Sequence, residues 1–141
     1  RSEAYFDLRF GRRAEPDGRP SVVSYLEHQG RKLVARFDPA TYRVLARAMD
    51  AHDIGRDRGG AVEALRRLGS GTRFVGVGIE GDILYGPAQV RSLVARAAEA
   101  GLVASYREIR STKGHDAFLV EWEQLTAIFR EVLVGVEGVA A

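Results

Sequence analysis

Two hydrophobic rhythms divide this chain. Up to about Leu68, apolar residues recur at three- and four-residue spacing with no convincing strand, whereas from Arg73 onward short apolar runs alternate with helical ones, as in βαβ units. The change falls at Gly69-Ser70-Gly71 and predicts two segments, residues 1–70 and 71–141. In the first, Arg1 to Phe10 reads as a short helix, and Gly11, Pro16, Asp17, Gly18 and Pro20 as a loop. Ser21 is placed to cap a helix whose Val22, Tyr25, Leu26, Gln29, Leu33, Val34 and Phe37 share a face, with Gly30 as a weak point. Asp38-Pro39 supplies a cap and a first-turn proline for a helix through Tyr42, Leu45, Ala46 and Met49. Ala61 to Leu68 resumes as a short helix.

In the second segment, Arg73-Phe74-Val75-Gly76-Val77-Gly78-Ile79 is an apolar, β-branched run between glycines, the pattern of a buried parallel strand. Gly86-Pro87 opens a helix with Val90, Leu93, Val94 and Ala97 on its buried side, closed near Gly101. Ala104 to Ile109 is a second strand, Ser111 to Gly114 a turn, and Phe118 to Leu133 a last helix with Leu119, Trp122, Leu125, Ile128 and Phe129 facing inward. Two strands do not make an independent parallel sheet buried on both faces, so this reads as the edge of a larger doubly wound α/β sheet. Isolated, the 141 residues are expected to expose apolar surface.

The chemistry gathers at the strand exits. Asp82 stands on the loop after the first strand and His115 on the loop after the second, and parallel strands bring such loops to one edge of the sheet. An imidazole serves as a base near neutral pH, and a carboxylate on its other nitrogen fixes its tautomer. Gly81 and Gly114 allow each loop to turn sharply. The pair reads as the acid and base of a Ser-His-Asp triad, set against the plainer reading of a turn aspartate and a surface histidine. No Gly-x-Ser-x-Gly elbow occurs in the sequence, so the nucleophile is expected on a segment outside these residues. Gly76-x-Gly78 lies inside the strand and lacks a third glycine, which removes it as a dinucleotide fingerprint.

Composition changes this picture little. With 141 residues, 45% of them hydrophobic and 28% charged, the chain has the make-up of one globular domain. Its 21 basic and 19 acidic residues intermix, with a net charge of +2, and leave no basic face for nucleic acid. The absence of cysteine excludes a disulfide framework and thiolate metal sites, and agrees with a cytoplasmic location. No apolar run approaches the roughly 20 residues that span a bilayer. The start at Arg1, with neither Met nor a signal-like stretch, favours a processed or truncated product.

Several separated stretches carry a resemblance: Ser24 to Gly30, Arg36-Phe37-Asp38, Arg47 to Arg56, Gly78 to Tyr85, and Gly114 to Leu119. In this order, over nearly the whole chain, they resemble the C-terminal region of homoserine O-acetyltransferases, acyltransferases of methionine biosynthesis with an α/β-hydrolase fold. The resemblance implies that residues 1–70 are part of a helical lid and 71–141 the end of the hydrolase core. It implies Asp82 and His115 as catalytic acid and base, and Asp116 as a ligand of the amino-acid substrate. It implies L-homoserine and acetyl-CoA as substrates, no bound cofactor and no metal, a serine nucleophile upstream, and a homodimer formed through the lid. Before Asp82 the family usually has an acidic residue and then serine, where this sequence has Glu80 and Gly81, and before Gly114 it usually has tyrosine, where this sequence has Lys113; a charge there could alter substrate fit.

Other features have plainer readings. The cluster from His52 to Arg58 offers too few convergent ligands for a metal; its arginines could meet coenzyme A phosphates, but ion pairs between lid and core are the simpler role. His28 is structural, Tyr25, Phe37, Tyr42 and Met49 pack the lid or a dimer contact, and Trp122 anchors the core. Succinyl-CoA as donor, serine as acceptor, an esterase on the same fold, and a non-catalytic fragment that pairs with another chain all remain open at this level.

Overall fold

A computed structural model describes residues 2–134. They form α1 (Glu3–Arg9), α2 (Ser21–Arg36), α3 (Pro39–Asp50), α4 (Ala61–Arg66), β1 (Arg73–Ile79), α5 (Pro87–Glu99), β2 (Val103–Ile109), a 3-10 helix (Gly114–Leu119) and α6 (Trp122–Val134). The chain divides into two compact units, residues 6–53 and residues 54–134 with 2–5.

The larger unit is a mixed α/β arrangement around a small parallel sheet. β1 and β2 pair in parallel from Arg73 opposite Val103 to Ile79 opposite Ile109. One face of the sheet meets α5. There a Cβ at Gly76 would stand 2.5 Å from Val94 Cγ2, so glycine lets the helix approach the strand. A Cβ at Gly78 would collide with the Tyr106 hydroxyl. That space lets Tyr106 donate to Glu108 at 2.6 Å while Arg91 of α5 lies 3.9 Å over the Tyr106 ring and bonds the same carboxylate at 2.5 Å. Burial first, and the Glu108 carboxylate second, push the Tyr106 phenol up to about 12.

Two clusters make the core. Leu65, Ala97, Ala100 and Leu102 pack with Val62, Phe74 and Ala104 on the α5 side. Ile79, Ile109 and Ala117 pack with Val77, Leu125 and Ile128 of α6 on the other. Leu65 explains why this unit begins at Ile54, earlier than the change of pattern at Gly69-Ser70-Gly71: α4 has no sheet rhythm, yet it buries its leucine against α5.

The smaller unit is helical. Asp38 caps α3 as its spacing predicts, with Oδ1 accepting from the amides of Ala40 and Thr41 at 2.9 Å and Pro39 in the first turn. These bonds, led by the Thr41 hydroxyl, hold the Asp38 carboxyl below its ordinary value. Ser21 does not cap α2. The helix already includes it, Pro20 precedes it without a side-chain cap, and the Ser21 amide donates to the Arg13 carbonyl. Gly30 leaves α2 unbroken. Phe6, Phe10 and Tyr25 form an aromatic group with centroids 5.1 to 6.3 Å apart.

The last helix differs from its expected course. The glycine at 114 opens a 3-10 turn, and α6 starts only at Trp122. Leu125 and Ile128 pack inward as their spacing predicts. Leu119, Phe129 and Trp122 do not: Trp122 is 63% exposed and anchors no core among the described residues. Leu93 of α5 is likewise exposed, because Ala97 and Val94 occupy the face against the sheet.

Candidate active site

The two strand exits bring Asp82 and His115 together. Glu80 continues the ladder by donating its amide to the Ile109 carbonyl, and Gly81, at φ +72°, turns the chain so that Asp82 follows at once. On the neighbouring strand, Gly114 adopts φ +59° and starts the 3-10 helix that carries His115. His115 Nδ1 lies 2.8 Å from Asp82 Oδ2. The carboxylate only accepts, so Nδ1 carries the proton and Nε2 is left to act as a base.

Asp82 is fully engaged. Its Oδ1 accepts from the amides of Leu84 at 2.8 Å and Tyr85 at 3.1 Å, and its Oδ2 takes the His115 proton. The residue is only 8% exposed. Burial by itself raises its pKa, but the hydrogen bond from His115 and the two backbone amides outweigh it and hold the carboxyl below its ordinary value. It therefore remains an anion beside the imidazole through the neutral range. His115 is one-third exposed, and among the described residues no serine hydroxyl bonds its Nε2.

Two aromatic rings flank His115. The Tyr85 ring stands 5.5 Å from the imidazole, tilted by 55°, and the Phe118 ring 5.5 Å away, edge-on at 72°. The sequence reading did not single these out, although the spacing could have shown them: each lies three residues after Asp82 or His115. Asp116 lies one residue beyond His115 on the 3-10 helix, half-buried and with interactions of its own.

Lys113, the departure beside the site, has its charge occupied. Its Nζ lies 3.0 Å from Glu121, whose carboxylate also accepts from the Ser111 hydroxyl at 2.7 Å. The Ser111 and Lys113 hydrogen bonds hold the Glu121 carboxyl below its ordinary value, so it stays available as a partner. Glu80 and Arg110 border a separate hollow of about 430 Å³ with Ser2, Ala4, Gly81, Ser111 and Thr112. Among the described residues no group of three or more His, Asp or Glu side chains is arranged to hold a metal ion, and no helix is long and apolar enough to cross a membrane. In the segment between His52 and Arg58, Arg58 donates to the Ile54 carbonyl at 2.9 Å, a contact within its own loop.

Known proteins carry similar sequences. The chain is 40% identical over 140 residues to a homoserine O-acetyltransferase of Moorella thermoacetica, covering 94% of this chain and 37% of that one. It is 47% identical over 123 residues to a homoserine O-acetyltransferase of Thermus thermophilus, covering 87% and 30%, and 42% identical over 139 residues to that of Thermobifida fusca, covering 94% and 35%. The chain thus spans about a third of the length of these relatives. No family model matches it. Several curated relatives of one name, similar over most of the chain, make it a relative of the homoserine O-acetyltransferases.

Proposed function

From that kinship we propose that this chain is the C-terminal part of a homoserine O-acetyltransferase with an α/β-hydrolase fold, and that it supplies the acid and base of the reaction. The observation that carries the reading is the 2.8 Å bond between His115 and an aspartate held at the end of the adjacent parallel strand. His115 Nε2 takes the proton of a serine hydroxyl contributed by another segment, and the serine oxygen attacks the thioester carbonyl of acetyl-CoA. The C–S bond breaks, the thiol of coenzyme A leaves with the proton returned by His115, and an acetyl-serine remains. His115 then deprotonates the hydroxyl of L-homoserine, which takes the acetyl group and frees the serine. Asp82 holds the imidazole in the productive tautomer and stabilises the imidazolium formed in each half.

Asp116, next to the base on the same short helix, suits the α-ammonium group of homoserine. In the same reading the helices of residues 6–53 belong to a lid that keeps water from the acetyl-serine and forms the contact of a homodimer, and the enzyme works in the cytoplasm on the way to methionine. The exposed apolar residues of α2 and α3, among them Leu33, Leu45 and Met49, support a covered role for these helices.

The test is homoserine-dependent release of coenzyme A thiol from acetyl-CoA by the complete enzyme. His115→Ala should lower kcat by roughly 10³-fold or more. Retained turnover would remove His115 from the mechanism, and thiol release that ignores homoserine would make the protein an esterase.

A further inference from the structure

We propose that Tyr85 and Phe118 are positioning residues that act through their rings on His115, holding the imidazole plane so that Nδ1 stays on Asp82 and Nε2 stays turned away from it. The proposal rests on the reading of His115 as the base.

The backbone places both rings for separate reasons. The 3-10 helix has 3.0 residues per turn, so side chains at i and i+3 eclipse, and Phe118 stands directly beside His115. On the other loop, the Tyr85 amide is one of the two that bind Asp82 Oδ1, so the same turn that fixes the carboxylate delivers the Tyr85 ring to the imidazole. One ring comes from the strand exit of the acid and one from that of the base.

A histidine ring needs such walls. Rotation about its terminal torsion is soft and roughly two-fold, so a flip that exchanges Nδ1 with Cδ2 is opposed mainly by the single bond to Asp82. Rings on two flanks, tilted and edge-on, leave little room for that flip. Among the described residues the Tyr85 hydroxyl bonds to none, so the ring is the part of Tyr85 that meets His115. Both rings keep an outward face in solvent, Tyr85 at 51% exposure. Leucine at either position therefore replaces apolar volume without the flat wall, and without opening a closed core.

The test follows the His115 Nδ1 proton by NMR in the full chain with 15N-labelled histidine, a measurement that needs no substrate. In the unaltered chain this proton should exchange with water at least about 100-fold more slowly than that of free imidazole; exchange at the free rate overturns the proposal before any variant is made. Tyr85→Leu and Phe118→Leu should each speed exchange about tenfold, and Tyr85→Phe should stay within about twofold of the original rate. In the complete enzyme the leucine variants should lower kcat about tenfold with KM unchanged, since the wall acts on the base rather than on substrate binding. Slow exchange retained in both leucine variants, or exchange in Tyr85→Phe as fast as in Tyr85→Leu, overturns the role of the rings. An enzyme without homoserine acetylation but with the expected exchange rates would instead refute the proposed function and leave the ring walls standing.

Discussion

Residues 54–134 and residues 6–53 are built from similar proportions of apolar side chains, yet only the first unit has an interior. Seven apolar residues are buried in it, in two clusters on opposite faces of the sheet. α2 and α3, with a comparable supply of Leu, Val, Tyr and Met, bury none. The difference separates two sources of order. Helices need only local hydrogen bonds, a cap and a compatible rhythm, and Asp38 with Pro39 supplies these without any neighbour. A strand satisfies its backbone only against another strand, so β1 and β2 bring with them the contacts that make a core. The candidate site lies in the unit where long-range pairing fixes positions.

That contrast can be broken most strongly at Ile109, the largest fully buried side chain among the described residues. Ile109→Ala should destabilise the chain by about 2–5 kcal/mol, whereas Val34→Ala on α2, where valine is 79% exposed, should stay within about 0.5 kcal/mol. Denaturant unfolding of the two variants checks this, and equal losses would mean that α2 has an interior after all.

A second comparison concerns acid. Because the folded-state pKa of Asp82 lies below 3.8, its contribution to stability is full above that value and disappears as pH falls through the lowered one. Asp82→Asn should cost about 1–3 kcal/mol at neutral pH, and its deficit against the parent should narrow as pH drops from about 6 to about 3. A deficit constant across that range would show that the charge of Asp82 is not what the fold uses.

The smallest effect is expected in the helical unit. Asp38→Ala removes the cap of α3 and should show as faster amide exchange confined to the first turn of α3. Faster exchange spreading to β1 would show that the two units unfold as one.

Much of the strand-bearing unit was legible in the sequence for a stated reason. The glycines and β-branched residues from Arg73 to Ile79 mark a strand whose bounds match the structure, and the spacing of the two exits places Asp82 and His115 on one edge. Periodicity failed where it had to decide between covered and uncovered faces. Trp122, Phe129 and Leu93 repeat at helical spacing, but spacing records which residues share a face, not whether anything lies against it. The 3-10 helix was missed because Ser111 to Gly114 read as a turn, and Phe118 and Leu119 continue the apolar spacing of the last helix. Tyr85 and Phe118 went unnoticed because each was read as part of a motif and not as a neighbour of the imidazole. Lys113 could not be interpreted until Glu121, eight residues away, was found beside it.

The bond between Asp82 and His115 also acts as a gauge. Its two ends are carried by neighbouring strands and lie 33 residues apart in sequence, so its length reports how those strands are aligned. A slip of one residue would shift the exits by about 3.3 Å and turn every side chain of the slipped strand to the opposite face. No rotamer of an aspartate already committed to two backbone amides could follow that movement. Misaligned copies of the segment would thus lack the acid–base pair altogether, so that chemistry at this site would select for correctly assembled molecules with no separate inspection step.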